Sequence, residues 1–160
     1  MNGLNSGSLK DVAAECPGFQ ARVTSRAVTR FYNTFFKPLG LTSEQFSLLV
    51  GIGAAEGSTL VDLADSARID ATTISRNVRN LERRDLVRAI GGRGRAGKRL
   101  SLTNSGNQLL IDALPVWNLA KEELSRRMGV EKLGSTKRAM AELAEAAGRS
   151  PATVSEQSDK

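Results

Sequence analysis

Wound as an α-helix, residues 70–83 place Thr72, Arg76, Arg79 and Arg83 together on one side, with Thr73 and Asn80 at its border. The opposite side carries Ala71, Ile74, Val78 and Leu81, recurring at steps of three, four and three. Asp70 precedes the run as an N-cap, where its carboxylate can accept the free N–H groups of the first turn. An apolar stripe would anchor such a helix while hydroxyls, an amide and guanidiniums face outward. That chemistry suits phosphates and base edges: Arg can bond guanine twice, Asn can pair with adenine, and Thr offers a hydroxyl and a methyl. Any surface helix sets polar residues against an apolar stripe, however, so the flanking elements must decide.

Upstream, Thr59 to Ala67 reads as a short helix, with Thr59 as cap and Asp62 three residues on, close to a capping box. Only Arg68 to Asp70 separate it from the next helix, the spacing of a helix-turn-helix. Downstream, Leu86–Ile90 and Arg99–Thr103 read as strands joined by the glycine-rich, basic stretch Gly91 to Lys98. Helix, turn, helix and a cationic hairpin make a winged helix-turn-helix. Between Arg68 and Arg99 ten Lys/Arg face three acids, a net of +7 in a chain whose total is +6, so the remainder sums to −1. A solvated surface mixes both signs, whereas this concentration fits a phosphate binder.

The run Leu63-Ala64, Ile69 to Asn77, Leu81 to Val87 and Leu100-Ser101-Leu102-Thr103-Asn104-Ser105-Gly106 resembles the MarR family of bacterial transcriptional regulators, over roughly Cys16 to Ala147. The resemblance implies a dimeric, sequence-specific regulator of double-stranded DNA, commonly a repressor released by a ligand or by oxidation. Thr72, Thr73, Arg76 and Asn80 then become candidates for base contact, and Arg79, Arg83, Arg93 and Arg95 for phosphates. Two departures stand out. The Asp-x-Arg pattern usual in the family's wing falls on Gly94, Arg95 and Ala96, leaving Arg93 or Arg95 as the wing arginine without its carboxylate. Glycines common in relatives at a turn and at a helix end are Arg68 and Asp85 here.

The elements around this unit predict a mainly α fold with a small β-hairpin wing. Residues 1–15 read as a flexible N-terminus, 16–40 and 104–147 as dimerisation helices, 41–103 as the winged helix-turn-helix and 148–160 as a disordered tail. Phe19 to Lys37 reads as a long helix stopped by Pro38-Leu39-Gly40. Thr42-Ser43-Glu44-Gln45 is a capping box opening a helix with Phe46, Leu49, Val50 and Gly53 inward. Asn104 to Met128 reads as a helix that Pro115 should bend, and Glu131 to Ala147 as the last one after Gly129. Leu109, Trp117, Leu124, Leu143 and the Phe31/Phe35 face exceed what a small DNA-binding unit can cover. A two-fold dimer built from the terminal helices would cover them and set two recognition helices on an inverted repeat, with half-sites about 10 base pairs apart.

Several chemistries drop out. The chain has no histidine, which removes the usual general base and most zinc and haem sites. No phosphate-binding glycine fingerprint and no converging carboxylate pair is present, so neither catalysis nor a metal or cofactor is expected. No apolar run approaches membrane-spanning length, the start lacks a signal-peptide pattern, and a single cysteine suits a reducing cytoplasm. For an effector two readings stay open. Cys16, before Pro17, stands where a helix dipole would favour a thiolate, and the OhrR-like peroxide-sensing branch of the family uses one cysteine near this helix start. Aligned on Ser25-Arg26-Ala27, that branch's cysteine falls on Gly18 and its thiolate-bonding tyrosines on Arg22 and Tyr32. Alternatively, Phe31, Tyr32, Phe35, Phe46 and Trp117 would line a site for a small aromatic or phenolic ligand. A winged helix serving only as a protein-interaction or architectural module is the competing functional class.

Overall fold

The chain was analysed as a computed structural model, which describes residues 6–91 and 97–148. Arg93, Arg95 and residues 149–160 of the expected tail lie outside the described residues. The elements run α1 (Ser6–Glu15), α2 (Pro17–Phe36), a short 3₁₀ turn (Lys37–Leu39), α3 (Ser43–Ala54), α4 (Leu60–Ala67), α5 (Ala71–Arg83), β1 (Val87–Ile90), β2 (Arg99–Leu102), α6 (Asn104–Met128) and α7 (Val130–Gly148). The fold is mainly α with one antiparallel hairpin, the winged helix-turn-helix expected from the sequence. Two compact units divide it, Met1–Ala120 and Lys121–Lys160.

The first unit is built around α3 and α5. Phe36, Leu49, Ile52, Leu81 and Leu100 are fully buried, joined by Phe46, Ile74, Val78 and Val87. Phe36 stacks on Phe46 with ring centroids 4.6 Å apart, which fixes the end of α2 against α3. The Asn33 Oδ1 accepts from the Ser43 N–H at 2.6 Å and holds the same junction from its polar side. Local signals set the helix starts. The Thr42 hydroxyl accepts from the Gln45 N–H at 3.2 Å while the Gln45 side chain accepts from the Thr42 N–H at 3.1 Å. Thr59 and Asp62 repeat the arrangement ahead of α4, and these hydrogen bonds from Thr59 hold the Asp62 carboxyl below its ordinary range.

Two helix ends turn left-handed without glycine. Arg68 (φ +52°) and Asp85 (φ +55°) are the non-glycine residues with positive φ among the described residues. Each closes its helix the same way: Ile69 N–H donates to Ala64 O and Arg68 N–H to Asp65 O, and Leu86 N–H donates to Leu81 O and Asp85 N–H to Glu82 O. An L side chain in this conformation costs roughly 1–2 kcal/mol, and asparagine or aspartate tolerates it best. Arg68 is therefore the strained one. Arg68→Gly is expected to stabilise the chain by about 1 kcal/mol, read as a higher denaturation midpoint with an unchanged m-value. A lower midpoint would mean that the arginine side chain contributes more than its backbone costs.

β1 and β2 pair in the register Val87↔Leu102, Arg88↔Ser101, Ala89↔Leu100 and Ile90↔Arg99. Thr59 adds an isolated bridge to Arg99, so the segment before α4 seats the hairpin from its other edge. The turn from β2 into α6 explains the Leu-Thr-x-x-Gly pattern. Thr103 N–H donates to Leu86 O at 3.1 Å. Its hydroxyl donates to Asp85 O at 2.6 Å and accepts from the Gly106 N–H at 3.0 Å. This draws the first turn of α6 onto the start of β1 so closely that a Cβ on Gly106 would overlap the Leu86 carbonyl.

The second unit carries the end of α6, Gly129 at φ +88° and α7. Glu123 receives both Arg126 (2.8 Å) and Arg127 (2.6 Å). Their hydrogen bonds, Arg126 first, pull its carboxyl from 4.5 down to about 2. A depressed carboxyl contributes its stability above the unfolded value and loses it as pH falls through the folded one. An NMR titration of the Glu123 carboxyl should therefore show no transition near pH 4.5 and a midpoint close to 2. A midpoint above 4 would break the pairing.

Several expectations need correction. Residues 6–15 form a helix where a flexible start was expected: Leu9, Val12 and Ala13 recur at helical spacing, Cys16 N–H donates to Val12 O, and the Gln20 amide donates to Ala13 O at 3.1 Å. The long second helix begins at Pro17 and ends at Phe36, and the last helix extends through Gly148. Val50 is 38% exposed, while Gln45 and Ile52 point inward; Gly53 does face inward, a Cβ there standing 3.0 Å from Leu102 Cδ1. Ala71 is exposed as well, because the stripe on α5 narrows to Ile74, Val78 and Leu81.

Candidate nucleic-acid interface

α5 presents its outward face because its inward face is fully committed. Ile74, Val78 and Leu81 are 3%, 2% and 0% exposed, which leaves the helix one orientation. Asp70 caps it as the sequence suggests, accepting from the Thr73 N–H at 2.8 Å and from the Thr73 hydroxyl at 2.6 Å. These bonds, the hydroxyl's first, keep the Asp70 carboxyl below its usual range. The cap is accordingly charged at neutral pH.

Thr72, Arg76, Arg79 and Arg83 are all exposed, and with Ala71 and Ser75 they line one open concavity along the helix. Among the described residues no carboxylate lines it. Thr73 and Asn80 lie on the helix's other flank, outside the concavity. The Thr73 proton is directed at Asp70, so this side chain offers DNA an acceptor lone pair and a methyl rather than a donor. Ser75 is the side chain that sequence reasoning missed. It sits one turn from Arg79 toward the half-buried edge, a position that a two-sided reading of the helix assigns to neither face.

Arg99 belongs to the basic stretch but is used internally, its Nη1 donating to Gly57 O at 2.9 Å. Arg88 likewise donates to the Ser101 hydroxyl at 3.0 Å across the hairpin. Gly91 (φ +72°) and Gly97 (φ +58°) flank the wing tip.

The effector candidates separate into three places. Tyr32 and Phe46 meet Trp117 of α6 around a cavity of about 260 Å³, with Thr29, Ser43 and Ser47 supplying hydroxyls. Burial pushes the Tyr32 phenol above its ordinary range, so it is a hydrogen-bond donor there. Phe31 and Phe35 pack on each other with centroids 5.1 Å apart and do not line that cavity, although Phe31 meets the Tyr32 ring edge-on at 5.6 Å. Cys16 stands at the N-cap of α2, partly exposed, with no side-chain capping bond. A Cβ built on Gly18 would lie 3.8 Å from its sulfur and 3.7 Å from Arg22 Nη1, so both side chains reach the space over Gly18.

A basic helix held outward by its own core, with a hairpin wing beside it, defines a winged helix-turn-helix of the nucleic-acid-binding kind. A family model for the MarR family matches residues 39–96. The transcriptional regulator MosR of M. tuberculosis is 31% identical with a TM-score of 0.73, the match covering 84% of this chain and 97% of that one. The same regulator solved in complex with DNA gives 32% identity and a TM-score of 0.74, over 83% and 96%. MarR from E. coli, as a cysteine-to-serine mutant complexed with operator DNA, shares the fold at 19% identity and a TM-score of 0.73, over 82% and 96%. A search of curated proteins returns no match. The chain belongs to the MarR family. No described helix is long and apolar enough to cross a membrane.

Proposed function

We propose that the protein is a dimeric, sequence-specific regulator of transcription, a repressor that reads an inverted repeat through two copies of α5. The observation that carries this reading is the concavity of Thr72, Ser75, Arg76, Arg79 and Arg83, free of carboxylates among the described residues and rigidly presented by a buried stripe. Thr72, Thr73, Arg76 and Asn80 are assigned to base edges and Arg79, Arg83, Arg93 and Arg95 to phosphates. The DNA complex of MosR supports the reading, since that regulator matches this chain along most of its length. Cytoplasmic residence follows from the same role.

Dimerisation rests on surface that a single chain leaves bare. Phe19 and Val23 on α2, Ile111 and Leu114 on α6, and Met140 and Leu143 on α7 are each more than 40% exposed. α7 buries no residue of its own within the chain, although it runs for 19 residues. A second copy covering these faces removes a large apolar surface from water. Control of DNA binding is assigned to an uncharged aromatic ligand in the Tyr32–Phe46–Trp117 cavity, which no charged side chain lines among the described residues. Oxidation of Cys16 is the second reading, favoured by the partly exposed sulfur at a helix start. The two divide on one comparison: oxidant-driven release of DNA that persists in Cys16→Ser excludes the thiol as the switch.

The test is a competition binding assay on duplex DNA from upstream of the protein's own reading frame, run over a salt series with random duplex as competitor. The reading predicts preference for the upstream duplex and a steep fall in affinity with salt. A protein-interaction or architectural module would show no such preference.

A further inference from the structure

The larger cavity has a neighbour. On the next flank of α3 lies an open cavity of about 100 Å³, lined by Leu48 and Gly51 of α3, Leu63 of α4, Ile69 of the turn, and Ile74 and Asn77 of α5. Ser47, an exposed side chain, lines both cavities, so the two lie on either side of it. Among the described residues neither is lined by a charged one, in a chain carrying 23 Lys/Arg.

We infer that the smaller cavity is a second, apolar subsite of the effector site, taking the alkyl tail of an uncharged ligand whose aromatic, hydrogen-bonding head rests among Tyr32, Thr29 and Trp117. The inference rests on the effector reading given above and adds the ligand's shape, its lack of charge and the route to the DNA-binding helix. A charged group would give up its water with no counter-charge to meet it in either cavity. An apolar tail meets the opposite conditions. Ile69 is 46% exposed at the mouth of the smaller cavity and loses that contact with water when the tail is in place. The space itself exists because position 51 has no side chain: a Cβ there would stand 3.6 Å from Leu63 Cδ2, in ordinary contact, and would project into the void. Ile74 and Asn77 form the inner wall and belong to α5, so the tail bears directly on the seat of the helix that presents Thr72 and Arg76.

Trp117 is the only tryptophan in the chain and lines the head cavity, so its fluorescence reports occupancy in the full-length protein. The probes are phenol, 4-butylphenol and 4-butylbenzoate. Each buried methylene is worth roughly fourfold in affinity, so 4-butylphenol should bind at least about tenfold more tightly than phenol, and 4-butylbenzoate more weakly than 4-butylphenol. Gly51→Ala fits the helix and raises its propensity, yet takes up the tail's space. It should reduce the advantage of the butyl group severalfold while leaving phenol unchanged, and Ala67→Leu, filling the same cavity from α4, should do likewise. Phenol binding with no butyl advantage, or an advantage intact in both variants, overturns the subsite and leaves the effector reading standing. If no probe alters Trp117 emission, both fall together.

Discussion

Arg76→Ala is expected to weaken binding to the preferred duplex by about 1–3 kcal/mol per copy, hence roughly 2–6 kcal/mol for a symmetric pair, thirtyfold or more in Kd. Random duplex should lose far less. The asymmetry follows from what each kind of contact reads. A guanidinium that makes two hydrogen bonds to one guanine discriminates among bases, whereas one resting on phosphate attracts every sequence alike. Arg76 lines the concavity beside Thr72, and no described carboxylate lines that concavity to divert it from a base. Arg83, in the last turn of α5, is the internal contrast. Arg83→Ala should lower affinity for both duplexes by the same factor and reduce the salt slope by about one per copy. If Arg76→Ala behaves like Arg83→Ala, the base-reading role of Arg76 is lost.

Gly106→Ala should destabilise the chain by about 1–3 kcal/mol, with more within reach, although it adds a single methyl group. The added Cβ meets a backbone carbonyl, that of Leu86, rather than a side chain that could swing aside. The same carbonyl accepts from Thr103 N–H, and the Thr103 hydroxyl holds both Asp85 O and the Gly106 N–H. Relieving the overlap therefore means lifting the first turn of α6 and giving up those bonds together. The gain in helix propensity from Gly to Ala, about 1 kcal/mol, is too small to offset this. Thermal unfolding at fixed protein concentration should show Tm lower by roughly 2–4 °C per kcal/mol lost. An unchanged Tm would mean that the α6 start is not held against β1 in solution.

Much of this was legible in the chain because local chemistry and tertiary packing agree at the centre of the fold. Thr42, Thr59 and Asp70 stand as caps where their residue types and the apolar runs behind them place helix starts. The hairpin followed from two apolar stretches around a glycine-rich, basic turn. Arg68 and Asp85 stood out as departures from the family's glycines, but their left-handed backbone is a finding of the structure. What stayed hidden depended on contacts between distant segments. The side of α3 turned inward could not be fixed from its own pattern, because apolar residues nearly encircle it; Val50 faces solvent while Gln45, bonded to Thr42 and reached by Arg84 at 3.4 Å, is buried. α1 was missed since a glycine- and serine-rich opening outweighed three apolar residues at helical spacing. The grouping of Tyr32, Phe46 and Trp117, without Phe31 and Phe35, was equally out of reach: aromatic spacing along one helix does not say which residue on another will meet it.

The most direct measurement is protection of guanine N7 from dimethyl sulfate in the complex with upstream duplex DNA, for the wild type and for Arg76→Ala. The account predicts protected guanines in two clusters about 10 base pairs apart, with the Arg76→Ala complex restoring reactivity at one guanine in each. Binding that leaves every guanine N7 reactive, or a protection pattern identical in the two proteins, would contradict it.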